Sequence, residues 1–199
     1  MKSQNIFWTT SKITQEERER RNKHKGGIIW LTGLSGAGKS TIAVELERRL
    51  FSLGHHTYVL DGDNIRHGLS ANLGFSAEDR SENIRRIAEV SKLFVDAGVI
   101  CISAFISPDG TDRRMARSLV EEGQFVEVYV KASLEVCENR DTKGLYKLAR
   151  AGRIMNFTGI SAPYDVPENP EITVNTECET VADSVATIMK RLREMQWIS

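Results

Sequence analysis

The chain has 199 residues, of which 40% are apolar, with 27 basic side chains against 27 acidic ones; this suits one domain with a sizeable core and leaves no global field to draw the protein to nucleic acid or membrane. Any anion must therefore be met by a local site, which favours a small phosphorylated ligand. No run approaches the roughly 18 apolar residues of a membrane helix, the N-terminus lacks a signal-peptide core, and Cys101, Cys137 and Cys178 are odd in number without a C-x-x-C pair, so a reducing cytoplasm is the expected compartment.

Residues 1–25 are polar and charged and read as an N-terminal extension, with Thr14-x-x-Glu17 as a capping box for a short helix through Arg21. Residues 26–199 form the domain itself. It opens with an apolar strand running into Gly33-x-x-x-x-Gly38-Lys39-Ser40 and then into a helical pattern, the setting of a phosphate-binding loop. Gly33, Gly36 and Gly38 lack side chains, so the stretch Gly33, Leu34, Ser35, Gly36, Ala37, Gly38, Lys39, Ser40 and Thr41 can curl several N–H groups around one anion at a helix N-terminus. Lys39 would reach the β- and γ-phosphates of ATP, and Ser40 would hold Mg²⁺.

Ile42, Leu46, Arg49 and Leu50 carry the next helix to about Gly54, and Thr57 to Leu60 is a short strand ending at Asp61-Gly62-Asp63. Ser76-x-x-Asp79 resembles a second capping box, followed by helical spacing from Ile84 to Val95 and a stop at Gly98. The continuous apolar runs Val99 to Ile106 and Phe125 to Val130 suit parallel strands buried on both faces. Helices are expected over Thr111 to Glu122, Ser133 to Arg140 and Glu179 to Met195, with a last strand over Glu171 to Asn175. This alternation predicts an α/β fold of three layers with a mostly parallel central sheet. Between Asp141 and Pro170 the periodicity fails while Lys143, Lys147, Arg150 and Arg153 gather, as in a lid over phosphates.

Many phosphate-loop proteins place a metal-linked aspartate at the end of a buried strand, yet Ala104-Phe105-Ile106-Ser107 has no acid there. Asp61 and Asp63, after the preceding strand, are the candidates for metal-water contact and for orienting an acceptor hydroxyl. That suits a small-molecule kinase better than a GTP switch, whose Asn-Lys-x-Asp is also missing. A kinase of another nucleoside or sugar acid and a non-catalytic nucleotide-binding regulator are the competing readings; an intact Lys39, Ser40 and Asp63 argue against the second.

Six ordered motifs, Asp61-Gly-Asp-Asn-Ile-Arg-His-Gly-Leu69, Leu73-Gly-Phe-Ser76, Arg80-x-x-Asn-Ile-Arg-Arg86, Ile106-Ser-Pro108, Arg140-Asp-x-Lys-Gly-Leu-Tyr146 and Phe157-Thr-Gly-Ile160, closely resemble the adenylylsulfate kinases, and the likeness extends to Trp8 and Thr14-x-x-Glu-Arg18. The resemblance implies a P-loop kinase fold and transfer of the γ-phosphoryl group of ATP, with Mg²⁺, to the 3′-hydroxyl of adenosine 5′-phosphosulfate. It implies an acceptor site of Asp63, Arg66, Arg80, Asn83, Ile106, Ser107 and Lys143, with Phe75 and Phe157 sandwiching the adenine. It further implies Ser107 as a phosphoserine intermediate, Arg140 beside the nucleotide phosphates, Lys39 and Asp63 as catalytic groups, Ser40 and Asp61 at the metal, and a homodimer. Arg80 and Asn83 lie three apart in the first turns of a helix, so both can face one ligand. Where family members commonly carry an aromatic and an arginine after Ser-Pro, this chain has Asp109-Gly110.

Overall fold

The computed structural model describes residues 5–7 and 9–199; Trp8 lies outside them. In chain order the elements are α1 (Gln15–Asn22), β1 (Gly27–Thr32), α2 (Lys39–Ser52), β2 (Thr57–Asp61), α3 (Gly62–Arg66), α4 (Ala77–Asp96), β3 (Ile100–Ala104), α5 (Gly110–Arg117), β4 (Phe125–Lys131), α6 (Leu134–Arg140), α7 (Leu145–Arg150), β5 (Ile172–Asn175) and α8 (Val181–Glu194).

The five strands form one sheet in the order β2-β3-β1-β4-β5. Every pairing is parallel, with Trp30 opposite Ser103 on one side and Glu127 on the other. Side chains alternate across a strand, so β1 sends Ile29 and Leu31 to one core and Ile28 and Trp30 to the other. The first core gathers Ile42, Leu46 and Leu50 of α2 with Val185, Ile188 and Leu192 of α8; the second gathers Ile84 and Ile87 of α4 with Ala116 of α5. The result is the three-layer P-loop kinase architecture expected from the strand–helix alternation.

Caps explain most helix starts. Thr14 and Glu17 close a complete capping box on α1, and Thr180 with Asp183 does the same for α8. At α4 only half of the expected box forms: the Ser76 hydroxyl accepts from the Asp79 N–H. The extension is fastened to the domain, since the Asn22 amide donates to the Gly98 carbonyl and the Glu19 carboxylate accepts from the Gly26 N–H.

Three local expectations need correction. A one-turn helix, α3, follows β2 directly because the Asp61 carboxylate caps it through the Asp63 N–H. Helix α5 ends at Arg117, not Glu122; the Ser118 hydroxyl turns back to the Met115 carbonyl, and Leu119 and Val120 pack on the second core from irregular backbone. The region 141–170 is not wholly without periodic structure: Asp141 accepts from the Tyr146 and Lys147 N–H groups and so starts α7, whose Tyr146 and Ala149 enter the first core.

Candidate active site

Parallel strands bring all their C-terminal ends to one edge of the sheet. That edge holds the loop after Thr32, Asp61 at the end of β2, the Ile106–Ser107 turn after β3 and Thr176 after β5. Residues scattered from 33 to 176 therefore meet in one cleft.

The phosphate loop is preformed. A Cβ on Gly33 would stand 2.5 Å from the Val130 carbonyl oxygen, and one on Gly36, at φ +77, 3.0 Å from the Cys137 carbonyl oxygen, so neither position tolerates a side chain. The Lys39 ammonium, 8% exposed as a residue, donates to the carbonyls of Gly33 at 2.9 Å and Leu34 at 2.7 Å. Burial lowers its pKa to about 8, only partly offset by Asp61 and Asp63 nearby. The loop is braced from outside by groups far from it in the chain. Tyr146 donates its hydroxyl to the Ser35 carbonyl, and the Thr176 hydroxyl to that of Ala37. Arg140 is committed to the same brace, reaching the Gly36 carbonyl at 3.2 Å and the Thr176 hydroxyl at 3.1 Å. In the sequence Thr176 is one polar residue just past a strand end, like many others.

Beside Lys39, the Ser40 hydroxyl donates to the Asp61 carboxylate at 2.6 Å. Hard oxygen donors in contact at the mouth of the phosphate loop fit Mg²⁺, which keeps several waters and takes few protein ligands. The other oxygen of Asp61 caps α3 through Asp63 and so fixes where Asp63 begins. Asp63 itself is solvent-facing and ion-paired with Lys143, 80 residues away in the 141–170 segment.

Arg80 ties two loops of the cleft together. It donates to the Phe75 carbonyl at 3.1 Å, to the Thr158 hydroxyl at 2.6 Å and to the Asn156 carbonyl, joining the Phe75 loop to the segment that carries Phe157. Arg66 donates to the Gly74 carbonyl at 2.9 Å and lies 4.3 Å from the centroid of Phe75. The two phenylalanines sit in unlike surroundings. Phe75 is 60% exposed, whereas Phe157 is 8% exposed and meets Tyr146 edge-on at 4.9 Å, so its ring is also part of the core. Asn83 is buried on the same helix as Arg80, and its side-chain oxygen has no hydrogen-bond partner among the described residues. An unpaired buried acceptor costs about 1–3 kcal/mol, which a ligand donor would recover.

Ser107 is 2% exposed and holds φ at +39, a left-handed conformation that costs about 1–3 kcal/mol outside glycine. Its hydroxyl accepts from the Trp30 indole N–H at 3.0 Å, facing the core. The Ile106 carbonyl accepts from the Thr32 hydroxyl at 2.7 Å. Asp109, in the departure from the family pattern, caps α5 through the Thr111 N–H, and Gly110 donates its N–H to the Asp165 carboxylate.

Known proteins are similar to this chain in sequence and in fold. The adenylylsulphate kinase family pattern matches residues 25–175. The chain is 59% identical over 196 residues to the adenylyl-sulfate kinase of Staphylococcus haemolyticus, covering 98% of both. It superposes on the APS kinase of Mycobacterium tuberculosis solved with AMPPNP and APS at a TM-score of 0.81 and 42% identity, covering 85% of this chain and 99% of that one. The hexameric APS kinase of Thiobacillus denitrificans matches at a TM-score of 0.68 and 31% identity, covering 92% of this chain and 32% of that one. With a preformed phosphate loop, the acid moved to β2 and full-length likeness of this degree, the chain belongs to the adenylylsulphate kinase family.

Proposed function

We infer that the protein is an ATP- and Mg²⁺-dependent kinase that transfers the γ-phosphoryl group to the 3′-hydroxyl of adenosine 5′-phosphosulfate, releasing 3′-phosphoadenosine 5′-phosphosulfate and ADP in sulfate assimilation. The observation that carries the acceptor assignment is the Arg80 clamp, which joins the exposed Phe75 ring, covered by Arg66, to the Phe157 segment, on the helix that also carries the unpaired Asn83 acceptor. A flat ring and planar cations suit an adenine nucleotide with an anionic tail, whereas a sugar acid has no face to stack.

In this scheme the Gly33–Thr41 loop wraps the ATP phosphates, and Lys39 exchanges its two backbone carbonyls for phosphate oxygens. Ser40 and Asp61 would hold Mg²⁺, which would supply charge neutralisation at the β- and γ-phosphates. Asp63 orients the 3′-hydroxyl and takes its proton as the 3′-oxygen bonds to the γ-phosphorus and the bond to the ADP oxygen breaks. Lys143, paired with Asp63 here, stands where it can follow the charge as that carboxylate is neutralised. Arg66, Arg80 and Asn83 bind the acceptor, with Phe75 and the remaining face of Phe157 on its base. Ser107 acts through its backbone beside Ile106, because its hydroxyl is committed to Trp30 inside the core; in-line transfer needs no phosphoserine. Arg140 acts on the nucleotide through the phosphate loop it braces. Residues 141–170 serve as a lid hinged between α6 and β5, and Glu19 and Asn22 dock the end of the N-terminal extension on the domain.

Among the described residues no helix is long and apolar enough to cross a membrane. A cytoplasmic location and a homodimer fit the family; light scattering during gel filtration tests the latter. The function itself is tested by ADP release with adenylylsulfate, AMP and gluconate offered in turn, where only adenylylsulfate should support turnover.

A further inference from the structure

We propose that Trp30 and Arg113 are positioning residues for the acceptor anion, holding Ser107 in its left-handed conformation so that the Ser107 N–H faces the cleft. This rests on the reading that the Ile106–Ser107 backbone receives the phosphosulfate. The peptide bond between these residues is trans, so its C=O and N–H point opposite ways. The Ile106 carbonyl points at the Thr32 hydroxyl, so the Ser107 N–H across the same peptide points away from Thr32. Neither the Ile106 nor the Ser107 N–H has a hydrogen-bond partner among the described residues. The left-handed turn at Ser107 with these two successive N–H groups unpaired is the kind of backbone conformation that makes a concavity for an anion.

A serine does not stay at φ +39 unaided, and two buried side chains restrain it. The Trp30 indole, stacked between Phe105 at 6.0 Å and Phe125 at 5.8 Å, donates to the Ser107 hydroxyl. The Arg113 guanidinium, 5% exposed, spends one N–H on the Ser107 carbonyl at 2.7 Å, one on Glu127 at 2.7 Å and one on the Asp165 carbonyl at 2.7 Å. Its fork thus fixes Ser107 against β4 and against the loop whose Asp165 N–H donates back to the Pro108 carbonyl. Neither side chain needs to touch substrate; each acts through Ser107.

The test is steady-state kinetics with both substrates varied. Trp30→Phe keeps an aromatic ring in the stack but loses the N–H together with some buried ring volume, so the KM for adenylylsulfate should rise roughly fivefold while kcat and the KM for ATP stay within about twofold. Arg113→Lys keeps a cation beside Glu127 but loses the fork, and its acceptor KM should rise further. In a Ser107→Gly background, glycine enters the left-handed region freely and has no hydroxyl to hold, so adding Trp30→Phe should change the acceptor KM by less than about twofold. A Trp30→Phe effect of equal size with and without the Ser107 hydroxyl, or equal weakening of both substrates, would make Trp30 a packing residue and overturn the proposal. Unchanged acceptor KM in Trp30→Phe overturns it as well. If the wild-type protein does not turn over adenylylsulfate at all, the underlying reading falls and this inference with it.

Discussion

The donor and acceptor halves of the cleft are built in opposite ways. The donor loop is one continuous stretch of chain, its glycines pressed against backbone, its lysine buried and its carbonyls engaged before any nucleotide arrives. The acceptor half is assembled from four separate segments, with Phe75, Asp63 and Lys143 left to solvent and joined by Arg80 and by one exposed ion pair. Exposed pairs of that kind contribute little, typically under about 1 kcal/mol, so the Asp63–Lys143 side of the acceptor half can rearrange cheaply while the donor loop, and Ser107 held by Trp30 and Arg113, cannot. Rigidity sits where every nucleoside triphosphate looks alike, and adaptability sits where the substrate must be told apart.

Variants in the two halves should therefore separate. Lys39→Ala removes the cation aimed at the transferring phosphate and almost no core volume, so turnover should drop by roughly a thousandfold with the thermal midpoint nearly unmoved. A variant retaining more than about a tenth of wild-type activity would break the donor side of the comparison.

Asp63→Asn keeps shape and removes the carboxylate, and kcat should fall by roughly a hundredfold with the KM for ATP unchanged. Asp61→Asn should show a defect that shrinks as Mg²⁺ is raised, and the Asp63 defect should not respond. If excess Mg²⁺ rescues both variants alike, the division of labour between the two acids is wrong.

Phe75→Leu and Phe157→Leu sharpen the contrast within the acceptor half. Each should raise the acceptor KM by roughly tenfold, on about 1–3 kcal/mol for stacking one base. Only Phe157→Leu should also lower the thermal midpoint, because its ring packs on Tyr146, whereas Phe75 touches solvent on most of its surface. Calorimetry on the pair decides it.

The smallest effect is one of pH. Lys39 is held at a pKa of about 8 in the free protein by burial, so below that pH it is an ammonium and above it neutral. Bound phosphates favour the charged form, hence ATP binding should take up a proton above pH 8. The KM for ATP should be flat below that value and rise by up to about tenfold per unit above it. Lys39→Arg, always charged, should lack this upper limb.

The donor half was legible in the sequence because its geometry is local. Gly33 to Ser40 are consecutive, and the strand and helix flanking them follow from apolar runs and spacing. The parallel sheet was legible for the same reason at its centre, where β1, β3 and most of β4 are buried on both faces, whereas the edge strands β2 and β5 mix buried with exposed residues. What escaped depends on distant partners. Arg140 finds Thr176 across 36 residues, Arg80 finds Thr158 across 78, and Tyr146 finds Ser35 across 111. Helix α7, at six residues, is too short to show an apolar stripe, and the Asp141 carboxylate that starts it reads in sequence as one more loop acid. The resemblance to a known family, not the local pattern, placed Phe157 near the acceptor, and neither revealed that the ring also serves the core.

The central claim is that this cleft phosphorylates one particular hydroxyl. It is tested most directly by incubating the wild-type protein with γ-labelled ATP, Mg²⁺ and either adenylylsulfate or its 3′-deoxy analogue, and following label into nucleotide. Label should enter adenylylsulfate at the 3′-oxygen, with ADP released in equal amount, and should not enter the 3′-deoxy compound. Equal labelling of both compounds, or ADP release that ignores which acceptor is present, would contradict the account.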